Sequence, residues 1–238
     1  MTLLHLIRHG RASATEADYD KLQPLGELQA RLLGEHLGRR RQHYDAVYVG
    51  PLRRQLDTLR LMREGAAEVG RAWPAATVLD GLAEGPFEPL MKNYVRPRLP
   101  QDPQLQVIVQ ALRGAVDPRV RDEALNALFD YMVGLWHGGQ VVAADLEAPG
   151  VFNARVLDAL AQIAQREGVG RQVAVVTSNG VIGVLLQHVG LAPANGSTRH
   201  RLYNSSVSLL ELDVDRRGIA RGSNSTEHLS DPEHLTLI

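Results

Sequence analysis

Leu6-Ile7-Arg8-His9-Gly10 decides the reading of this chain. Residues 3–8 are a short apolar run that stops at a cation, an imidazole and a flexible residue, the pattern of a buried strand entering a turn. A lone histidine is more often a surface or satisfied core residue than a reactive one, so the rest of the chain has to supply company for it. Gly50-Pro51-Leu52-Arg53-Arg54 does so. It follows a second short strand over 46–49 and opens a helix whose apolar stripe is Leu52, Leu56, Leu59 and Met62. Backbone N–H groups, a positive helix end and an arginine then coincide, which suits an oxyanion.

Working outward, Pro24-Leu25-Gly26 starts a helix with Leu28, Leu32, Leu33 and Leu37 at helical spacing. Further strands are expected at 77–79, 173–177, 206–212 and 219–222, the last two joined by a hairpin turn over 215–218. Helices are expected at 105–115, 119–135, 151–167 and 181–189. Pro86, Pro89, Pro97, Pro100 and Pro103 crowd the start of a stretch at about 86–150 that reads as a helical and loop insertion within a single domain, 1–238. The last dozen residues read as polar and loosely ordered. Strands alternating with helices give an α/β class: a three-layer sandwich with a mostly parallel central sheet and helices on both faces. Ligands of such sheets bind outside the carboxyl ends of the strands. That rule gathers Arg8-His9-Gly10, Gly50-Pro51, residues 80–84 and Ser178-Asn179-Gly180.

Composition narrows the chemistry. The 238 residues carry 26 basic and 27 acidic side chains, a formal charge of −1, so the global charge offers nothing to nucleic acid or an anionic membrane. With no cysteine, disulfides, thiolate nucleophiles, Cys–zinc sites and iron–sulfur clusters are excluded. No apolar run approaches the roughly 18 residues of a membrane helix. The opening nine residues are too short and too soon interrupted for a signal peptide, so the expectation is a cytoplasmic, soluble protein. Lys21 and Lys92 are the only lysines, so a buried cation is expected to be a guanidinium, which grips phosphate with two parallel hydrogen bonds.

These stretches resemble the histidine phosphatase superfamily, which includes cofactor-dependent phosphoglycerate mutases. Leu6–Gly10 is similar to its Arg-His-Gly motif. Leu25-Gly26 with Gln29-Ala30 resembles its Leu-Thr-x-x-Gly-x-x-Gln-Ala helix, and Pro51-Leu52-Arg53-Arg54 its Ser-Pro-Leu-x-Arg turn, with Thr58 beyond. Leu82-Ala83-Glu84 is similar to its Leu-x-Glu, and Val175-Val176-Thr177 with Gly180-Val181-Ile182 to its late strand and turn. The resemblance implies a phosphoglycerate mutase-like fold. It also implies that His9 is a nucleophile forming phosphohistidine, with its tautomer held by an acceptor such as a backbone carbonyl. Arg8 and Arg54 would hold the phosphoryl oxygens. Arg53 is the alternative to Arg54 as the inward arginine. Glu84 would donate the proton to the leaving alkoxide and then serve as base for water, with Asp80 and Glu88 as competitors. Neither a metal nor another cofactor is implied.

One departure matters. The family's second catalytic histidine follows the late strand, and there this chain has Ser178, with Asn179 at the next position. His137-Gly138-Gly139 follows a helix and reads as a helix end, while His188 and His200 are the other spatial substitutes. Ser178 and Asn179 are expected to bind phosphate in its place. Ser13 is expected to lend a hydroxyl, Ala12 standing where the family has threonine, and Arg11 is a further source of positive potential. Losing a charged donor costs on the order of 10²–10³ in rate. The expected function is therefore an attenuated phosphomonoesterase acting on a small phosphorylated metabolite. A non-catalytic binder of phosphorylated ligands or inorganic phosphate is the alternative, and a phosphoglycerate mutase a weaker one. Tyr94, Arg96, Arg98, Phe129 and Tyr131 are the candidate lid contacts; the pattern carries no oligomeric signal.

Overall fold

β1 (Thr2–Arg8) lies inside a six-stranded sheet, and everything near the site hangs from it. In the computed structural model it pairs in parallel with β4 (Gln172–Thr177) and antiparallel with β5 (Val207–Leu212). The structure describes the chain except residues 14–19, 142, 195, 196, 198, 214–217 and 238 and the side chain of Pro118. β2 (Ala46–Val49) pairs in parallel with β4 and with β3 (Ala76–Val78), and β6 (Gly218–Ser225) closes the far edge against β5. The order is β3-β2-β4-β1-β5-β6.

The period of two along the inner strands sorts their side chains into two cores. Leu4, Leu6, Val173 and Val175 face one layer; Ile7, Val47, Val49, Ala174 and Val176 face the other. The second layer is α1 (Pro24–Arg39) packed on α2 (Arg53–Glu68). The first holds α6 (Pro149–Glu167) and α7 (Asn179–His188), together with α4 (Pro103–Gly114) and α5 (Pro118–His137) from the stretch read as an insertion. Leu90, Val95, Leu105, Met132 and Trp136 share one apolar cluster with β1 and β4, so that stretch is packed into the main core. The fold is the expected α/β sandwich with a mostly parallel sheet.

Local expectations fail in three places. The proline-rich start of 86–150 is helical: α3 (Phe87–Leu90) runs into a π turn, Met91–Val95, and a 3-10 turn, Arg96–Arg98. Pro89 sits in a first turn, where no intrahelical N–H is required, so it does not stop the helix. The tail is also ordered. Leu229 and Thr236 are buried, and Thr236 accepts the Asn204 N–H through its carbonyl at 2.8 Å. Polar composition suggested looseness, but hydrogen bonds to distant segments hold the tail. The last strand is longer than expected because its polar half, Ser223–Ser225 in sequence, pairs at an edge where no apolar alternation is required. Most of the expected turn at 215–218 lies outside the described residues.

Candidate active site

The carboxyl ends of β1, β2 and β4 converge. The His9 N–H extends the parallel ladder onto Thr177 O at 2.9 Å, and the Arg8 N–H reaches Ser206 O at 3.1 Å. Gly10 then turns the chain against α1. A Cβ on Gly10 would lie 2.3 Å from Gly26 O, and one on Gly26 2.1 Å from Arg11 O, so the two backbones touch where both residues lack side chains. The Gly10 N–H donates to Thr58 Oγ1 at 3.0 Å, and that hydroxyl donates to Arg54 O at 2.6 Å, joining the turn to α2. Buried Gln29 accepts the Arg11 N–H at 2.9 Å and donates to His234 O at 2.7 Å and Thr236 Oγ1 at 2.9 Å, tying in the tail.

His9 is 7% exposed, and its Nδ1 lies 2.7 Å from Gly10 O. A carbonyl only accepts, so Nδ1 carries the proton and the Nε2 lone pair faces the Nε–H of Arg54 at 3.1 Å. Burial first, then the positive charges of Arg54 and Arg8, push the imidazole well below its ordinary pKa, against a smaller opposing effect of the Gly10 carbonyl. The ring is neutral, with its lone-pair nitrogen on the side of the arginines.

Arg8 is buried to the same degree. Its Nη1 donates to Leu202 O and, at 2.7 Å, to Leu237 O, while its Nε has no partner. Burial, then repulsion from Arg199, lowers its affinity for a proton; Glu84 opposes this and Arg54 adds to it. Arg54 is held by Asp20 Oδ1 at 2.7 Å, and the same carboxylate caps α2 by accepting the Arg53 and Arg54 N–H groups at 2.7 and 3.3 Å. Of the two neighbouring arginines, Arg54 points inward and Arg53 is exposed, 3.4 Å from Asp57.

Glu84 accepts the Gly85 N–H at 2.9 Å and the Gly180 N–H at 3.1 Å. A Cβ on Gly180 would sit 2.3 Å from Glu84 Oε1, so the bare glycine makes room for the carboxylate. Asp80 is exposed and lines no part of the cavity, and Glu88 is exposed at its rim, which leaves Glu84 as the carboxylate that faces the arginines. Arg155 holds the loop that carries it. Its guanidinium donates to Gly81 O at 3.1 Å, Ala83 O at 2.8 Å and Glu84 O at 3.1 Å while pairing with Glu147.

Arg8, His9, Ser13, Arg54 and Glu84 line one cavity of about 520 Å³. Ser178 does not. It is fully buried, and its hydroxyl accepts from Gln55 Nε2 at 2.8 Å, so its side chain is engaged behind the cavity instead of serving as a phosphate donor. Gln55, also fully buried, is fixed by Leu82 O at 3.0 Å and by the Leu52 N–H at 3.1 Å. Asn179 lines the cavity, but its amide bridges the backbone of the following loop, donating to His200 O at 2.8 Å and accepting the Leu202 N–H at 3.1 Å. Arg11 is spent on Asp122 at 2.9 Å. His200 is buried against Leu191 O at 3.1 Å, His188 is exposed, and His137 ends α5 at the cavity rim. Of the lid candidates, Arg96 and Phe129 line the cavity, whereas Tyr94 bonds Asp145, Arg98 bonds Gln140 O and Tyr131 bonds Asp102.

Sequence reasoning missed Arg199, a guanidinium that joins Arg8 and Arg54 at one end of the cavity. It is held 2.7 Å from Asp130 as an ion pair without hydrogen-bond alignment, and it donates to Asn126 Oδ1 at 2.8 Å. It follows no strand and sits in no periodic pattern. The only local hint is the four-residue spacing of Asn126 and Asp130, which puts both partners on one face of α5. Among the described residues no group of three or more histidine, aspartate or glutamate side chains is arranged to hold a metal ion, and no helix is long and apolar enough to cross a membrane.

Solved structures share this architecture, among them the following three. YhfR of Bacillus stearothermophilus is 20% identical over 97% of this chain and 100% of that one, with a TM-score of 0.66. A phosphoglycerate mutase of Bacillus anthracis is 18% identical over 96% and 95%, TM-score 0.61. An alpha-ribazole phosphatase of Shigella flexneri is 20% identical over 94% and 96%, also TM-score 0.61. At these identities the likeness is one of fold. No curated protein matches the chain. A family model described as the histidine phosphatase superfamily (branch 1) matches residues 4–107 and 114–225. Those segments contain the strand ends that build the cavity, and the chain belongs to that superfamily.

Proposed function

We propose that the protein is a phosphomonoesterase that works through a phosphohistidine at His9. The observation that carries this reading is His9 itself: neutral and buried, its Nδ1–H donated to Gly10 O, its Nε2 lone pair turned toward Arg54, with Arg8 Nε unpartnered in the same cavity. An anion cradle alone has no use for an imidazole held in one tautomer.

A phosphoryl group entering between Arg8, Arg54 and Arg199 takes up the guanidinium N–H groups, including the one now facing Nε2, and so frees the lone pair. Nε2 bonds to phosphorus as the P–O bond to the alcohol breaks, and Glu84 gives its proton to the departing oxygen. Glu84 then removes a proton from a water that attacks phosphorus, the N–P bond breaks, and phosphate leaves. The three arginines offset the charge on the equatorial oxygens; in this reading no metal or organic cofactor takes part. Ser178 contributes no donor, so turnover is attenuated. That same feature favours the second reading, a non-catalytic binder of phosphorylated ligands.

Hydrolysis of p-nitrophenyl phosphate by wild type and His9→Ala, with trapping of phosphoenzyme in alkaline detergent, separates the two. The expected result is turnover and a base-stable, acid-labile phosphoenzyme in wild type, both lost in His9→Ala. Wild type no faster than His9→Ala, with phosphate still raising the melting temperature, overturns the enzyme in favour of the binder.

A further inference from the structure

Beyond the phosphate end, the cavity changes character. The chain contains only three phenylalanines and two tryptophans, and Phe87, Phe129, Phe152 and Trp136 all line this one space. They form a connected edge-to-face array: Phe87 to Phe129 at 6.2 Å, Phe87 to Trp136 at 5.8 Å, Trp136 to Phe152 at 5.6 Å. Such contacts hold rings in fixed orientations, so the wall is preformed. Leu128 and Met132, both buried, fill in between them from α5. The charged residues lining this part, Glu88, Lys92 and Arg96, are all exposed and therefore belong to the rim. At about 520 Å³ the space is in the range that encloses a small organic molecule, well beyond what one phosphate fills.

We infer that the natural ligand is a phosphomonoester whose alcohol half is predominantly apolar, and that this half is enclosed by the aromatic wall while the phosphate meets Arg8, His9 and Arg54. The inference rests on the phosphate reading of the arginine end. A polyhydroxylated or zwitterionic alcohol would have to give up hydration here for an apolar wall. An apolar one gains from leaving water.

The test is a series of n-alkyl monophosphates from ethyl to hexyl, whose leaving groups are chemically alike, with glycerol phosphate and phosphoserine as polar counterparts. The matching n-alkylphosphonates, which cannot be hydrolysed, are titrated by calorimetry. A buried methylene is worth about 0.8 kcal/mol, so kcat/KM is expected to rise about fourfold per methylene, roughly two orders of magnitude from ethyl to hexyl. Propyl phosphate should exceed glycerol phosphate, and Phe129→Asn should flatten the slope. A flat or falling series, or a preference for glycerol phosphate or phosphoserine, overturns the inference. If no ester turns over but phosphonate affinity climbs with chain length, the ligand class stands and the catalytic reading falls. If neither rate nor affinity depends on chain length, the aromatic wall is packing only and the inference is refuted.

Discussion

A histidine placed at position 178 tests how tightly the space beside Ser178 is filled. The geometry makes it crowded. Ser178 is fully buried and Gln55 Nε2 lies 2.8 Å from its hydroxyl; the same amide is pinned by Leu82 O at 3.0 Å. An imidazole therefore enters space that Gln55 borders. Gly50 borders the same space, because a Cβ there would lie 2.1 Å from Gln55 Oε1. Ser178→His alone is expected to destabilise the fold by about 1–3 kcal/mol, the usual cost of overpacking a filled interior. Its ring, deflected from the cavity, should raise turnover by less than about tenfold. Combined with Gln55→Ala, the ring gains room to point at the phosphoryl group, and a charged donor is worth about 10²–10³ in rate. Urea unfolding and aryl phosphate turnover across wild type, both single variants and the double variant give the cycle, with an expected stability coupling of about 0.5–3 kcal/mol. If Ser178→His alone equals the double variant in rate and stability, Gln55 does not fill the space and the reasoning is wrong.

Two further outcomes follow from buried groups. His5, bonded to Tyr44 at 3.2 Å, and His228, bonded to Ser205 at 2.7 Å, are each pushed by burial to a pKa of about 4. Their unfolded forms bind protons below pH 6.5 while the folded forms resist, so stability present at pH 7 is lost as pH falls from 6.5 toward 4. The loss is on the order of 2–3 kcal/mol per histidine; urea midpoints that stay level between pH 7 and 4.5 would contradict this. Gly180→Ala drives a methyl into Glu84 Oε1 and should cut kcat on alkyl phosphates by about 10²–10⁴. Aryl phosphates, whose leaving groups need little protonation, should lose far less, and an equal loss on both rules out Glu84 as the proton donor.

Strand ends were the legible part of the site. Arg8, His9 and Glu84 sit at or soon after strand ends and Arg54 in the first turn of the helix after β2, where the rule for parallel sheets locates ligands, and they share one cavity. What local sequence could not carry was direction. Ser178 occupies the expected place in the chain, but its hydroxyl is claimed by Gln55, a residue more than a hundred positions away. Arg199 and the tail failed for the same reason, since Asp130 and Gln29, their anchors, lie in other elements. The helical turns through Pro89 and Pro97 were hidden because prolines signal breaks in isolation, yet here they fall where no N–H is missed.

The position of β1 also bears on how the chain is made. It precedes the other strands of its sheet and is among the most apolar, yet both of its neighbours come late: β4 ends at Thr177 and β5 starts at Val207. At roughly 5–20 residues per second, a ribosome needs about 8–33 s to reach β4 after finishing β1. Throughout that interval Leu3–Ile7 presents unpaired edges and bare leucines, while α1, β2 and α2 can already begin to pack on one another. The strand that ends at Arg8 thus waits long for both partners, and its open edges are a hazard of self-association in the newborn protein.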